Sequence, residues 1–240
     1  MLHWIYPRLC ELCHRPSEQE LCPECAELLP RVPLPICLYC GAPVAGEQVD
    51  PYECAACRAR PRSFDFARSA LVSSEPALQL IYRLKYHRAN YLAAGLAELL
   101  NRLWEDTPAL NEAAEWALVP VPAGRKHLFR RGYNQAEELA RALAKLRRLP
   151  LANALERRTT SAESQTRLSA TERWQNALAS YAVRRPWAEG RKSLGPYVAL
   201  VEDVYTTGAT TRACARALKQ LPGVRRVGVI TLLRAMRREI

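Results

Sequence analysis

The chain has 240 residues, 49% of them hydrophobic, and a formal net charge of +11. That length allows one large domain or two modest ones, with ample apolar residues for a packed core. No apolar run is long enough to span a bilayer and the first residues lack a basic region ahead of a long apolar stretch, so neither a membrane helix nor a signal peptide is expected, and the expected compartment is the cytoplasm.

The charge is unevenly placed. Residues 1–60 carry five Lys/Arg against eight Asp/Glu, a net of −3, which leaves +14 on the rest. A polyanionic partner should therefore meet the second part first. The first part holds eight of the nine cysteines as four C-x-x-C pairs: Cys10/Cys13, Cys22/Cys25, Cys37/Cys40 and Cys54/Cys57. Zinc favours four thiolates in a tetrahedron, and a two-residue spacer lets one tight turn aim two sulfurs at one ion. Eight sulfurs supply two sites. Sequential pairing joins Cys10, Cys13, Cys22 and Cys25 at one ion and Cys37, Cys40, Cys54 and Cys57 at the other; a cross-braced pairing has the same spacings. Disulfides are the alternative in an oxidising compartment. Gly41 suits a zinc-ribbon turn, whereas His14 should face solvent. Because the segment is net acidic, a scaffold or partner-docking role fits it better than DNA binding. The division expected is a double ribbon over 1–60 and an α/β domain over 61–240.

Residues 58–64 form the junction. Phe64, Phe66, Ala70 and Val72 predict an entering strand. Pro76 opens a helical pattern through Leu78, Ile81, Tyr82, Leu84 and Lys85, with Lys85 read as an exposed helix lysine in preference to a ligand contact. Asn90 is the expected cap of a further helix through Leu92, Leu96, Leu99, Leu100 and Leu103. Residues 116–122 form a second apolar strand. A basic loop follows, with Arg125, Lys126, His127, Arg130 and Arg131 and no acid, running into Gly132, Tyr133, Asn134 and Gln135 and then a helix with Ala136, Leu139, Ala140 and Leu143 on its apolar side. Such a loop at a strand's C-terminal edge is suited to an anion, because Arg offers forked donors to phosphate oxygens.

Residues 155–176 are polar, with Ser169 and Glu172 spaced as a capping box. Residues 198–210 then read V-A-L-V-E-D-V-Y-T-T-G-A-T. A continuous apolar run predicts a strand buried on both faces, as in a parallel sheet. Glu202 and Asp203 lie toward its C-terminal end, where open α/β sheets bind ligands. Two adjacent carboxylates can accept from vicinal hydroxyls. Thr206, Thr207, Gly208, Ala209 and Thr210, with the N-terminus of the following helix, would attract a phosphate. Together they describe a ribose 5-phosphate site. Cys214, on the apolar face of that helix, reads as core. Residues 224–233 give a last strand.

The 198–210 stretch resembles the phosphoribosyl-diphosphate (PRPP) motif of type I phosphoribosyltransferases. With V-P-V-P at 119–122, R-R-G-Y-N-Q at 130–135 and the cysteine pairs, nearly the whole chain resembles the ComF/GntX family of competence-associated proteins with a phosphoribosyltransferase fold. The family commonly has a glycine after the Leu84-Lys85-Tyr86 stretch, which this chain lacks. Gln165, Leu168, Arg173 and Asn176 also match a family pattern, in a region where type I enzymes carry a closing loop.

The resemblance implies an α/β fold with a mostly parallel, phosphoribosyltransferase-like sheet flanked by helices, behind a small cysteine-rich module. It implies displacement of pyrophosphate from PRPP, with magnesium as a second cofactor beside zinc. Glu202 and Asp203 would hold the ribose hydroxyls, residues 206–210 the 5-phosphate, and Arg130, Arg131, Gly132, Tyr133, Asn134 and Gln135, with Arg125 and Lys126, would form the loop at the pyrophosphate. The family's role in DNA uptake sets a non-catalytic rival beside the enzyme: a PRPP sensor, or an adaptor that binds single-stranded DNA and docks a DNA-translocation protein.

Overall fold

A computed structural model describes residues 8–44, 52–86, 89–113, 115–158 and 180–236. Gln165, Leu168, Ser169, Glu172, Arg173 and Asn176 lie outside the described residues.

Both C-x-x-C units close the same way. Cys10 N–H donates to Arg15 O and His14 N–H to Cys10 O; Cys37 N–H donates to Ala42 O and Gly41 N–H to Cys37 O. The second cysteine pair of each unit sits at the start of a short helix, α1 (Pro23–Leu28) or α2 (Ala55–Arg58). The ribbons are two copies of one design.

β1 (Phe66–Val72) leads into α3 (Glu75–Tyr86), which buries Ala77, Leu80, Ile81 and Leu84. Leu78 and Tyr82, expected on the apolar side, are exposed. The helix offers two stripes at i, i+3, i+4, i+7, one residue apart, and packing against the sheet selected the wholly apolar one. A 3₁₀ turn (Asn90–Leu92) precedes α4 (Ala93–Glu105), so Leu92 and not Asn90 occupies the cap position, without a side-chain cap. After α5 (Pro108–Asn111), β2 (Trp116–Pro120) is buried throughout. The basic loop is in fact mostly helical: α6 (Arg125–Arg131) ends at Gly132, and α7 (Gln135–Arg147) begins after Asn134. β3 (Leu155–Arg157) pairs antiparallel with β4 (Tyr181–Val183), and α8 (Arg185–Ala188) follows. β5 (Tyr197–Tyr205), α9 (Ala209–Leu218) and β6 (Arg226–Arg234) complete the described elements.

Among the described residues, four strands form one parallel sheet in the order β1-β6-β5-β2. β5 lies inside it, which explains its apolar run. Its side chains alternate: Ala199 and Val201 pack in a core with α3, α4 and α7, whereas Val198 and Leu200 pack on the other face with Cys214 and Leu218 of α9. Cys214 is fully buried, as expected of a core thiol.

The ribbons straddle the edge of this sheet. Cys10, Leu21, Cys22, Cys25 and Leu29 join the α3/α4 core; Cys37, Cys40 and Cys57 join the α9 core. Between them the chain runs antiparallel along β1, with Val72 N–H donating to Pro30 O and Ala67 N–H to Tyr39 O. An unpaired strand edge is thereby covered.

Candidate functional site

Thiolate geometry defines the two metal-type clusters. Cys10, Cys13, Cys22 and Cys25 form one and Cys37, Cys40, Cys54 and Cys57 the other, each with its sulfurs within 4.8 Å of one another. The pairing is therefore sequential. All eight thiols are free of disulfides. A zinc–sulfur bond of about 2.3 Å sets the edge of a tetrahedron at about 3.8 Å, and Cys13 Sγ lies 3.8 Å from Cys22 Sγ, as Cys40 Sγ does from Cys54 Sγ. Backbone N–H groups of Cys22 and Cys54 donate to Cys10 Sγ and Cys37 Sγ, both at 3.4 Å. Both quartets are consistent with structural zinc. His14 stays exposed.

The second assembly lies at the C-terminal edge of the sheet. Because strand side chains alternate, Glu202 and Asp203 leave β5 toward opposite faces and do not form one flat platform. Asp203 turns to the α3 face, where its Oδ2 meets Lys85 Nζ at 2.8 Å. Lys85 is thus an ion-pair partner inside the cleft, not the free surface lysine its sequence context predicts. Glu202 is half-buried. Burial first, and the Asp203 charge second, push its carboxyl up to about 8 against the opposing pull of Lys85, so it is held neutral at pH 7.

Residues 206–210 wrap onto the start of α9. Gly208 has φ 73°, and a Cβ there would lie 2.2 Å from the Tyr205 hydroxyl oxygen, so the turn requires glycine twice over. Ala209 N–H donates to Thr207 Oγ1, and Thr211 Oγ1 to Gly208 O. Thr206 and Thr207 are exposed, with Ala209 and Thr210 half-buried beside them. The first-turn N–H groups of α9 face this loop without intrahelical acceptors.

The basic helix approaches from β2. Arg125, Lys126 and Arg130 are exposed and Arg131 is half-buried. Arg130 and Arg131 place their guanidinium carbons 5.2 and 5.0 Å from the Tyr86 ring centroid, and Arg131 donates to the Tyr86 hydroxyl at 3.4 Å. That hydrogen bond lowers the Tyr86 phenol pKa, with further pull from Arg131, Arg130 and Lys85. Burial, then Arg131 and Arg130, lower His127. The rest of the motif is mounting. Tyr133 donates its hydroxyl to Leu84 O; Asn134 donates to Val121 O at 2.9 Å and caps α7 by accepting from Ala136 N–H. Gln135 is buried, its Nε2 without a partner among the described residues.

The last turn of α3 joins these parts: Lys85 meets the acidic strand, and Tyr86 meets the basic helix. The sequence singles out Tyr86 only within the family-like Leu84-Lys85-Tyr86 stretch and assigns it no role. A cleft of about 1450 Å³ opens beside this turn, lined by Ser73, Ser74, Tyr82, Lys85, Tyr86 and Met236. Among the described residues no helix is long and apolar enough to cross a membrane.

Comparison with known proteins identifies the N-terminal module and relatives of nearly the whole chain. Residues 1–58 match the double zinc ribbon domain family. Competence protein F of Haemophilus influenzae is 30% identical over 224 residues, covering 91% of this chain and 92% of that protein. DNA utilization protein YhgH of Salmonella typhimurium is 29% identical over 218 residues, covering 88% and 91%. Competence protein ComFC of Bacillus subtilis is 26% identical over 225 residues, covering 91% and 85%. With the cysteine quartets, the parallel sheet and these relatives together, the chain belongs to the ComF/GntX family of competence-associated proteins.

Proposed function

We propose that the chain binds PRPP at the C-terminal edge of its sheet and displaces pyrophosphate from it, in the uptake or utilisation of external DNA. The observation that carries this reading is the final turn of α3, where Lys85 holds Asp203 and Tyr86 holds Arg131. Phosphate-seeking cations and hydroxyl-accepting acids thereby share one edge with the 206–210 loop. Relatives named for competence and DNA utilization support the cellular setting.

In this reading the loop N–H groups hold the 5-phosphate, while Asp203 and Glu202 accept from ribose hydroxyls. Ligand entry exchanges the Lys85–Asp203 pair for new contacts, which frees Lys85 to join Arg130 and Arg131 at the diphosphate. As an acceptor attacks the anomeric carbon, the bond to pyrophosphate breaks and its electrons leave with the phosphate oxygen. The cations stabilise that departing charge by preorganised electrostatics. Magnesium bound with the diphosphate would be held on the protein side by Asp203 once ligand entry frees it from Lys85, and would supply charge neutralisation there.

The test is pyrophosphate release from PRPP and magnesium with nucleobases and single-stranded DNA as acceptors, beside Asp203→Ala. Acceptor-dependent release that the variant loses supports a transferase. No PRPP binding by zinc-loaded protein overturns the reading.

An adaptor for single-stranded DNA is the second reading. Tyr82, Tyr86 and Tyr91 are each about half exposed, the Tyr82 and Tyr86 rings lie 4.8 Å apart, and the Tyr86 ring lies beneath Arg130 and Arg131. Exposed rings beside arginines suit stacked bases and a phosphate backbone. Oligothymidine binding that falls steeply with salt, weakens in Tyr82→Ala and survives Asp203→Ala would favour it; binding insensitive to Tyr82→Ala would count against it.

A further inference from the structure

The two ends of the 206–210 loop are tied to the second cysteine quartet by buried arginines. Arg212, in the first turn of α9, is 4% exposed. It donates to Pro61 O at 3.0 Å and to Cys57 Sγ at 3.6 Å, with its guanidinium 4.9 Å over the Phe64 ring. Arg234, at the end of β6, is 7% exposed. It donates to Cys40 O at 2.6 Å and to Cys40 Sγ at 3.5 Å, and stacks 4.8 Å over Tyr205, whose hydroxyl lies against Gly208. Arg60, between this quartet and β1, donates to Thr207 O at 3.3 Å. Tyr205 precedes the loop and Arg212 follows it, so both ends are clamped.

A buried guanidinium needs a compensating negative charge. No carboxylate of the described residues forms an ion pair with Arg212 or Arg234; their partners are carbonyls and cysteine sulfurs. Four thiolates around one divalent zinc carry two negative charges in sum, which Arg212 and Arg234 meet directly at Cys57 and Cys40, while Arg68 nearby donates to Leu38 O and Ala67 O. Among the described residues no arginine donates to a sulfur of the first quartet. Its neighbouring arginines are engaged elsewhere, Arg8 with Glu20 and Arg83 with Glu11.

We propose that Arg212 and Arg234 are positioning residues that lock the 206–210 loop to the Cys37/Cys40/Cys54/Cys57 metal site. The loop holds its shape only while that site is metal-loaded and both arginines are present. The consequence for PRPP affinity rests on the function proposed above; the loop geometry does not.

The test is hydrogen exchange of residues 205–212 in the full chain, with zinc counted by elemental analysis. Arg212→Met keeps two zinc ions and speeds exchange in this segment about tenfold, with Arg212→Lys intermediate and β1 unchanged. Cys13→Ser loses one zinc and leaves the segment within about twofold of wild type, whereas Cys54→Ser loses one and loosens it. If Cys54→Ser does not fold, the arginine variants decide. Exchange within about twofold of wild type in Arg212→Met, or equal loosening by Cys13→Ser, overturns the proposal. PRPP affinity is read alongside: wild type that fails to bind PRPP sinks the proposed function and leaves the exchange result to judge the clamp.

Discussion

The two zinc ribbons share a backbone design and differ in what they are fastened to. The first is bolted to α3 and α4 by carboxylates, with Glu11 accepting from Arg83 and Tyr91 and Glu27 from Arg102. The second is fastened through its sulfurs and carbonyls to arginines of the sheet and of α9. Surface ion pairs contribute little and yield to salt, whereas buried charge contacts cannot be removed from one side without cost. Both repeats pack into a core, the first with α3 and α4 and the second with α9, but only the second reaches buried arginines beside the candidate ligand loop through its sulfurs.

Breaking each copy in turn is the largest test of that difference. Cys40→Ser should lower the melting temperature by about 10 °C or more, since it removes a structural metal and leaves Arg234 without its sulfur partner. Cys13→Ser should cost visibly less, and it should leave the α9 core packed. Equal losses in paired thermal melts would erase the distinction.

The positions after Cys13 and Cys40 sharpen it further. Both adopt positive φ, 57° at His14 and 66° at Gly41. A Cβ at Gly41 would sit 2.5 Å from the Ala67 carbonyl oxygen, whereas His14 is exposed. Gly41→Ala should therefore destabilise by about 2–4 kcal/mol, by strain and by forcing the ribbon off β1. His14→Gly should be neutral or stabilising by up to about 1 kcal/mol. Urea melts of both variants check this pair.

Lys85→Met tests the acidic edge. It leaves the Asp203 carboxylate, 16% exposed, without its cation. The expected cost is about 1–2 kcal/mol, discounted for partial solvent access. A variant as stable as wild type would show the pair to be incidental.

Glu202 tests the same edge through pH. Its carboxyl titrates near 4.5 in the unfolded chain and about 8 in the folded one. The folded state therefore favours the neutral acid, a contribution fully present below about 4.5 and lost as pH rises through 8. Glu202→Gln should gain stability relative to wild type steadily as pH rises from 5 to 9. Stability curves at the two pH values measure it, and a constant difference would exclude a raised Glu202.

Much of the site was readable because its parts are local. The acidic strand, the glycine turn and the arginine-rich approach are contiguous stretches whose chemistry follows from residue order. Lys85 and Tyr86 were hidden for the opposite reason: they act on partners that lie far along the chain, Asp203 and Arg131. The basic stretch read as a loop because seven residues without a capping side chain give little helical signal; Gly124 at its N-cap makes no side-chain cap. Asn134 looked like a ligand contact because its role as the cap of α7 needs the Val121 carbonyl in place.

The sequence by itself determined that eight paired thiols supply two metal-type sites, the parallel α/β class and the order of strand, acids, loop and helix. Short spacings and apolar runs fix those through local backbone geometry. Tertiary structure alone decided that the quartets pair sequentially, that Glu202 and Asp203 leave β5 on opposite faces, and that the second quartet meets Arg212 and Arg234. Those outcomes depend on which face each strand residue presents and on which distant charge neutralises it, and both are settled only when the elements pack together.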